Sequence, residues 1–196
     1  MTGPRVGVLA LQGDFREHLA VLRELGADAR PVRRAEELTE IDGLVIPGGE
    51  STVIDKLSRA FGVAQPIKDA IADGMPVYGT CAGLIMIADT VQDRIDGQQS
   101  FGGLDVVVRR NAFGTQVDSF ETELDVAAFD GAPVHATFIR APVVESVGDK
   151  AEAMAALTDG RVVAVRQGNL LGTSFHPEIS GETRFHRYFL DTVRRA

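Results

Sequence analysis

Two short stretches hold the side chains best suited to covalent chemistry. "GTCAG", Gly79 to Gly83, contains the single cysteine of the chain, and "SFHPE", Ser174 to Glu178, places a glutamate two residues after a histidine. The first has the G-x-[nucleophile]-x-G form of a nucleophile elbow, with the apolar run "MPVYG" before it and a helical pattern after it, as that strand-to-helix turn requires. The turn brings neighbouring chain close to the nucleophile, so its flanks must be small. A thiol at a helix start also lies where the helix dipole favours an anion. Taken alone, a cysteine at the end of an apolar strand reads first as a small buried hydrophobe. The nucleophilic reading needs a base, which His176 supplies. In extended backbone, residues two apart point the same way, so Glu178 can orient the imidazole and stabilise its protonated form. Pro177 removes a backbone donor and stiffens the link.

A third stretch, "PGGES" at residues 47 to 51, follows an apolar run and precedes a helical pattern. Backbone N–H groups of a Gly-Gly turn can point at a developing oxyanion because no Cβ obstructs the approach. Ser51 doubles as a helix N-cap. No Lys-Ser/Thr follows it and G-x-G-x-x-G is absent, so a nucleotide loop is not indicated. Arg110 in "RRNAFG" and Arg140 in "FIRAP" offer planar two-donor forks for a substrate carboxylate; each also reads as an ordinary surface or ion-paired arginine. Among the other histidines, His18 and His186 lie in amphipathic patterns and read as solvent-edge residues. His135 is a rival base without a carboxylate at useful spacing.

These residues need a scaffold, and the bulk composition suits one. The chain has 196 residues, 44% hydrophobic and 24% charged, enough for one domain spanning residues 1–196 with a substantial core. Twenty basic against 28 acidic residues give a net charge of −8, the wrong sign for a nucleic-acid partner. One cysteine excludes an intramolecular disulfide and a multi-cysteine zinc site, and the four histidines show no metal-ligand spacing. Neither a metal nor another cofactor is expected. No apolar run reaches the roughly 18 residues of a membrane span and no signal peptide is evident, so a soluble, unprocessed, cytoplasmic protein is expected.

The first half alternates short apolar runs with amphipathic segments, the pattern of parallel βα units. "RVGVLAL", "GLVIPGG" and "MPVYG" are the strands, and "DFREHLAVLRELG", "STVIDKLSRAFG", "QPIKDAIADG" and "TCAGLIMIAD" the helices. The second half is rich in Val, Thr and Phe and reads as strands without intervening helices, until "SGETRFHRYFLDTVRR" closes the chain as an amphipathic helix. The fold class is therefore α/β: a mixed, largely parallel central sheet flanked by helices. Its loops at the C-terminal strand ends form the ligand edge.

Taken together, "ALQG", "PGGES", "GTCAGL", "RRNAFG", "FIRAP" and "SFHPE" resemble the class I (triad) glutamine amidotransferases. Among these, "PGGEST" and "ALQGDFREH" are similar to the glutaminase subunits of pyridoxal 5'-phosphate synthase, over residues 5 to about 190. The resemblance implies hydrolysis of L-glutamine to L-glutamate and ammonia, with Cys81 as nucleophile, His176 as base and acid, and Glu178 orienting the imidazole. It implies Gly49, Glu50, Ser51, Arg110, Ile139 and Arg140 as glutamine-binding positions, and Gln12, Gly48 and Gly49 as the oxyanion region. It further implies that the partner is a separate synthase subunit, which receives the ammonia directly and activates the glutaminase by docking. Val53 stands where a second threonine is common in relatives. Rival readings are a glutaminase serving imidazole glycerol phosphate synthase, a redox-sensing domain on a related fold, and a free-standing γ-glutamyl hydrolase. The first is disfavoured by "PGGES", and the second has no need of Glu178.

Overall fold

Alternation within the short strands decides the layers. In β3 (Gly43–Ile46) Leu44 and Ile46 enter one core and Val45 the other; in β4 (Val77–Thr80) Val77 and Tyr78 divide likewise. Side chains alternate between faces along a strand, so strands buried along their whole length need a layer on each side. The computed structural model describes residues 3–110 and 119–196 and shows both layers.

The chain runs through β1 (Arg5–Leu9), α1 (Phe15–Glu24), β2 (Asp28–Val32), a short 3-10 turn (Ala35–Glu40), β3, α2 (Ser51–Ala60), α3 (Ala64–Ala72), β4, α4 (Ala82–Ile87) and β5 (Ala88–Gln92). It continues through β6 (Leu104–Arg109), β7 (Ser119–Leu124), β8 (Val134–Ile139), β9 (Val143–Val147), β10 (Glu152–Ala156), β11 (Val162–Gln167), β12 (Leu170–Thr173), α5 (Pro177–Ser180) and α6 (Arg184–Arg195). The main sheet has the order β2-β1-β3-β4-β12-β11-β9-β6-β5, with β10 also paired to β11; β7 and β8 form a separate ribbon. From β2 to β12 all neighbours are parallel, whereas β11 pairs antiparallel with β12, β9 and β10. This is the mixed, largely parallel α/β sheet expected from the sequence.

On one face, α1, α6 and the ribbon bury Leu22, Phe138, Phe175, Phe185 and Phe189 against Val6, Val8 and Val45. Phe185, Phe189 and Val193 recur every four residues along α6, one stripe of a helical period. On the other face, α2, α3 and α4 bury Ile54, Ile67 and Leu84 against Leu44, Ile46 and Val77. All six residues of α4 are buried. That helix is shorter than "TCAGLIMIAD" suggests, because Ala88 turns out of it into β5 beside β6.

The register between β4 and β12 places the site. Thr80 pairs with Thr173 in parallel, so Cys81 and the segment from Ser174 to Glu178 leave the sheet at the same edge. The loops after β1 and β3, carrying Gln12 and Gly48 to Ser51, leave there too. Among the described residues, no helix is long and apolar enough to cross a membrane.

Candidate active site

Cys81 occupies a backbone conformation that L-residues seldom adopt, φ 49° and ψ −104°. Such strain persists only where surrounding structure holds it. Here its N–H donates to Thr173 O at 2.7 Å, tying the elbow to β12. Closeness of backbone explains both flanking glycines. A Cβ on Gly79 would lie 2.5 Å from the Gly83 backbone, and one on Gly83 would run into the Ile46 carbonyl. The thiol is nearly buried, with Sγ 3.9 Å from Ile139 O at the end of β8.

His176 reaches the sulfur from β12's continuation, and its N–H donates to Thr137 O of β8 at 2.9 Å. Its Nδ1 lies 2.8 Å from Glu178 Oε1 and 3.4 Å from Asp14 Oδ2. Nδ1 being so engaged, Nε2 is the nitrogen left to face Cys81. The expectation that His176 and Glu178 share a side of an extended strand is replaced by a tighter geometry. β12 ends at Thr173, and Pro177 opens the single turn α5, which folds Glu178 back onto the ring. Burial opposes a charged imidazole, but the hydrogen bonds and charges of Cys81 and Glu178 outweigh it and raise His176 to about 10. Burial likewise pushes Glu178 above the usual carboxylate range, only partly offset by its bond to His176.

The loop after β3 lies directly against the ring. A Cβ on Gly48 would collide with His176 Cε1, so this position sets where the imidazole rests. The Gly48 carbonyl accepts the Asp14 N–H at 3.1 Å, and Gln12 Oε1 accepts the Glu50 N–H at 2.8 Å. Gly48 thus lies beneath the histidine rather than on the wall of the cavity.

The cavity measures about 350 Å³ and is lined by Gln12, Gly49, Glu50, Ser51, Arg110, Ile139 and Arg140 together with Cys81 and His176. Glu178 is behind His176. Arg110 is almost buried; its Nη2 donates to Glu50 Oε1 at 3.0 Å and its Nη1 to Gln98 Oε1 at 2.9 Å. Gln98 Nε2 in turn donates to Ser51 Oγ at 3.0 Å. Arg140 is exposed at the mouth with φ 44°, a second strained position. A larger cavity of about 400 Å³ lies elsewhere, beside Phe129, Met154 and Arg184, and none of its lining residues is a cysteine or histidine.

Four residues depart from their sequence readings. His18 and His186 are fully buried rather than at the solvent edge. His135 is exposed and paired with Glu123 and Glu121 of the adjacent strand, remote in sequence. Ser51, expected as the N-cap of α2, is its first residue, and Glu50 is the cap; Asp14 holds the N-cap position of α1 without a side-chain cap bond, its carboxylate facing His176. Gln98 has no sequence signal: an exposed-looking amide in "DGQQS", it joins Arg110 to Ser51 only through the fold. The "NAFG" part of the Arg110 motif, residues 111–114, lies outside the described residues. Among the described residues, the one group of ligating side chains close enough to hold a cation is Asp14, His176 and Glu178, with ligand atoms within 4.8 Å. The Nδ1 to Oε1 bond already uses two of those atoms with each other.

Comparison with known proteins gives one consistent result. Residues 8–195 match the model of the SNO glutamine amidotransferase family. The chain is 68% identical to the pyridoxal 5'-phosphate synthase subunit PdxT of Clavibacter michiganensis over 99% of this chain and 93% of that protein. It is 67% identical to the PdxT of Leifsonia xyli over 97% and 96%. A crystal structure of a glutamine amidotransferase superposes with a TM-score of 0.90 at 45% identity, covering 96% of this chain and 98% of that one. A putative GMP synthase component from Thermoplasma acidophilum, 19% identical with a TM-score of 0.73 over 100% of this chain and 96% of its own, shares the fold.

Proposed function

The chain belongs to the SNO glutamine amidotransferase family, and from that membership we propose that it is the glutaminase subunit of a pyridoxal 5'-phosphate synthase. It releases ammonia from L-glutamine and passes it to a separate synthase subunit, and residues 1–196 act as one cytoplasmic glutaminase domain. The observation that carries this reading is the convergence, in one cavity, of a cysteine on a strained elbow with a histidine whose Nδ1 is held 2.8 Å from a buried glutamate.

The chemistry uses these side chains and water. Protonated His176 is the counter-charge for a Cys81 thiolate, which attacks the side-chain amide carbon of glutamine. The developing oxyanion is held by donors of the elbow and of the Gln12 and Gly48–Gly49 loops. His176 gives its proton to the departing nitrogen as the C–N bond breaks, leaving a glutamyl thioester and ammonia. The same histidine, now neutral, takes a proton from water, whose oxygen attacks the thioester; glutamate leaves and the Cys81–His176 pair is restored. Gly49, Glu50, Ser51, Arg110, Ile139 and Arg140 bind the amino-acid end of the substrate. Arg140, exposed at the mouth, is the fork best placed for its carboxylate, because Arg110 is committed to Glu50 and Gln98.

The test is glutamate release from L-glutamine with and without the synthase subunit, with Cys81→Ala as the blank. Activity that rises when the synthase is present and vanishes in the variant supports the proposal. Full activity without it points to a free-standing hydrolase, and none in either condition rejects the glutaminase reading.

A further inference from the structure

Behind Glu178, on the side away from the substrate, lies a buried polar chain that the mechanism does not use. Glu178 Oε1 is taken by His176, but Oε2 is buried without a hydrogen-bond partner. His18 Nε2 of α1 lies 3.5 Å from that oxygen and 3.0 Å from Thr80 Oγ1, the residue before the nucleophile. His18 Nδ1 lies 2.9 Å from Nε2 of His186 on α6. Both rings are fully buried, and Tyr78 packs edge-on against each.

We infer that His18 is a positioning residue for glutamine hydrolysis: it holds its proton on Nε2, directed at Thr80 Oγ1 and Glu178 Oε2, and so steadies the carboxylate that orients His176. The inference rests on the glutaminase reading of the Cys81 site. One proton lies between the two histidines, so the pair has two proton arrangements. In one, His186 Nε2–H donates to His18 Nδ1, and His18 Nε2–H faces the carboxylate. In the other, His18 Nδ1–H donates to His186, whose own Nδ1–H turns towards the backbone carbonyl of Glu182. In the second, Nε2 can only accept, from the Thr80 hydroxyl, and Glu178 Oε2 is left with no donor facing it. Hydrogen bonds to ionised acceptors are roughly twice as strong as neutral ones, so the carboxylate decides in favour of the first. Burial, together with the charges of His186 and His176, keeps His18 neutral, which a single shared proton requires. The groups facing His18 are His186, His176, Glu178, Thr80 and Tyr78; Glu182 faces His186 from the turn before α6.

The test uses the glutaminase with its synthase subunit. His18→Leu removes both ring nitrogens, while His18→Gln keeps an N–H donor where Nε2 was. With His18→Leu, kcat should fall about tenfold with KM nearly unchanged, and the alkaline limb of kcat/KM should move to lower pH. The sign follows because a carboxylate no longer held at its rear swings off Nδ1, and the bond and charge that raise His176 are weakened. His18→Gln should recover most of both. Wild-type kcat and pH profile in a folded His18→Leu overturn the inference, as does equal impairment of both variants with the limb unmoved. Should His18→Leu fail to fold, ¹⁵N-histidine NMR of the wild-type protein decides: His18 protonated at Nε2 supports the assignment, and protonation at Nδ1 overturns it. A wild-type complex without glutaminase activity rejects the underlying reading as well.

Discussion

The wall of the cavity that carries the nucleophile is anchored in the parallel centre of the sheet, on β4 and β12, with Cys81, His176 and Glu178 all nearly buried. The opposite wall is assembled from Gly49 to Ser51 of the loop after β3, the turn after β6 and the end of β8, and its Glu50, Ile139 and Arg140 are exposed; Gly48 rests under His176 and belongs with the first wall. The difference follows from what each must do. A thiolate and an imidazolium need desolvation and fixed geometry, which close-packed glycines and short strands supply. A charged amino acid must enter and leave, which calls for solvent-facing polar groups that need not be individually rigid. Substitutions in the first wall should therefore act on kcat, and those in the second on KM.

The largest expected effect is that of Cys81→Ala, which removes the covalent route and should lower turnover by at least about 10⁴-fold, as loss of a nucleophile does elsewhere. Steady-state glutamate release with the synthase subunit present checks this; residual turnover near wild type would remove Cys81 from the chemistry. Glu178→Gln comes next, with kcat down about 10² to 10⁴-fold. Its pH profile sharpens the comparison. His176 holds its proton up to about 10, and losing the carboxylate's charge lets the proton leave sooner, so the alkaline limb must move to lower pH. Gly48→Ala should displace the imidazole that its Cβ would strike and lower kcat about 10²-fold, with KM little changed. An unaltered kcat would show that the loop yields. The smallest effect belongs to the second wall: Gln98→Leu strips a partner from both Arg110 and Ser51 and should raise KM about tenfold while kcat stays within about threefold. A kcat effect as large as that of Gly48→Ala would erase the distinction between the walls.

The same contrast explains what could be read from the sequence. The nucleophilic wall is written in local motifs: an elbow's glycines flank its cysteine, and a histidine and glutamate two apart can meet in more than one backbone geometry. Their pairing was therefore legible although its expected cause, an extended strand, is replaced by the turn at Pro177. The parallel strands β1, β3 and β4 were legible because they are continuous apolar runs. By contrast β2, "DARPV", and β10, "EAMAA", carry little strand propensity and owe their state to the neighbours they pair with. Partnerships across long separations left no local trace. Gln98 meets Ser51 at a separation of 47 residues, and His18 meets His186 at 168. The period of α1 and α6 showed which residues share a stripe, but not that a histidine on each would be enclosed.

The most direct measurement of the central claim is the intact mass of the glutaminase, in complex with its synthase subunit, after exposure to a glutamine analogue bearing a diazoketone in place of the side-chain amide. The account predicts a single covalent adduct on Cys81, slowed by competing L-glutamine, absent in Cys81→Ala and strongly retarded in Glu178→Gln. Failure of the thiol to react, or reaction that glutamine does not slow, would contradict it.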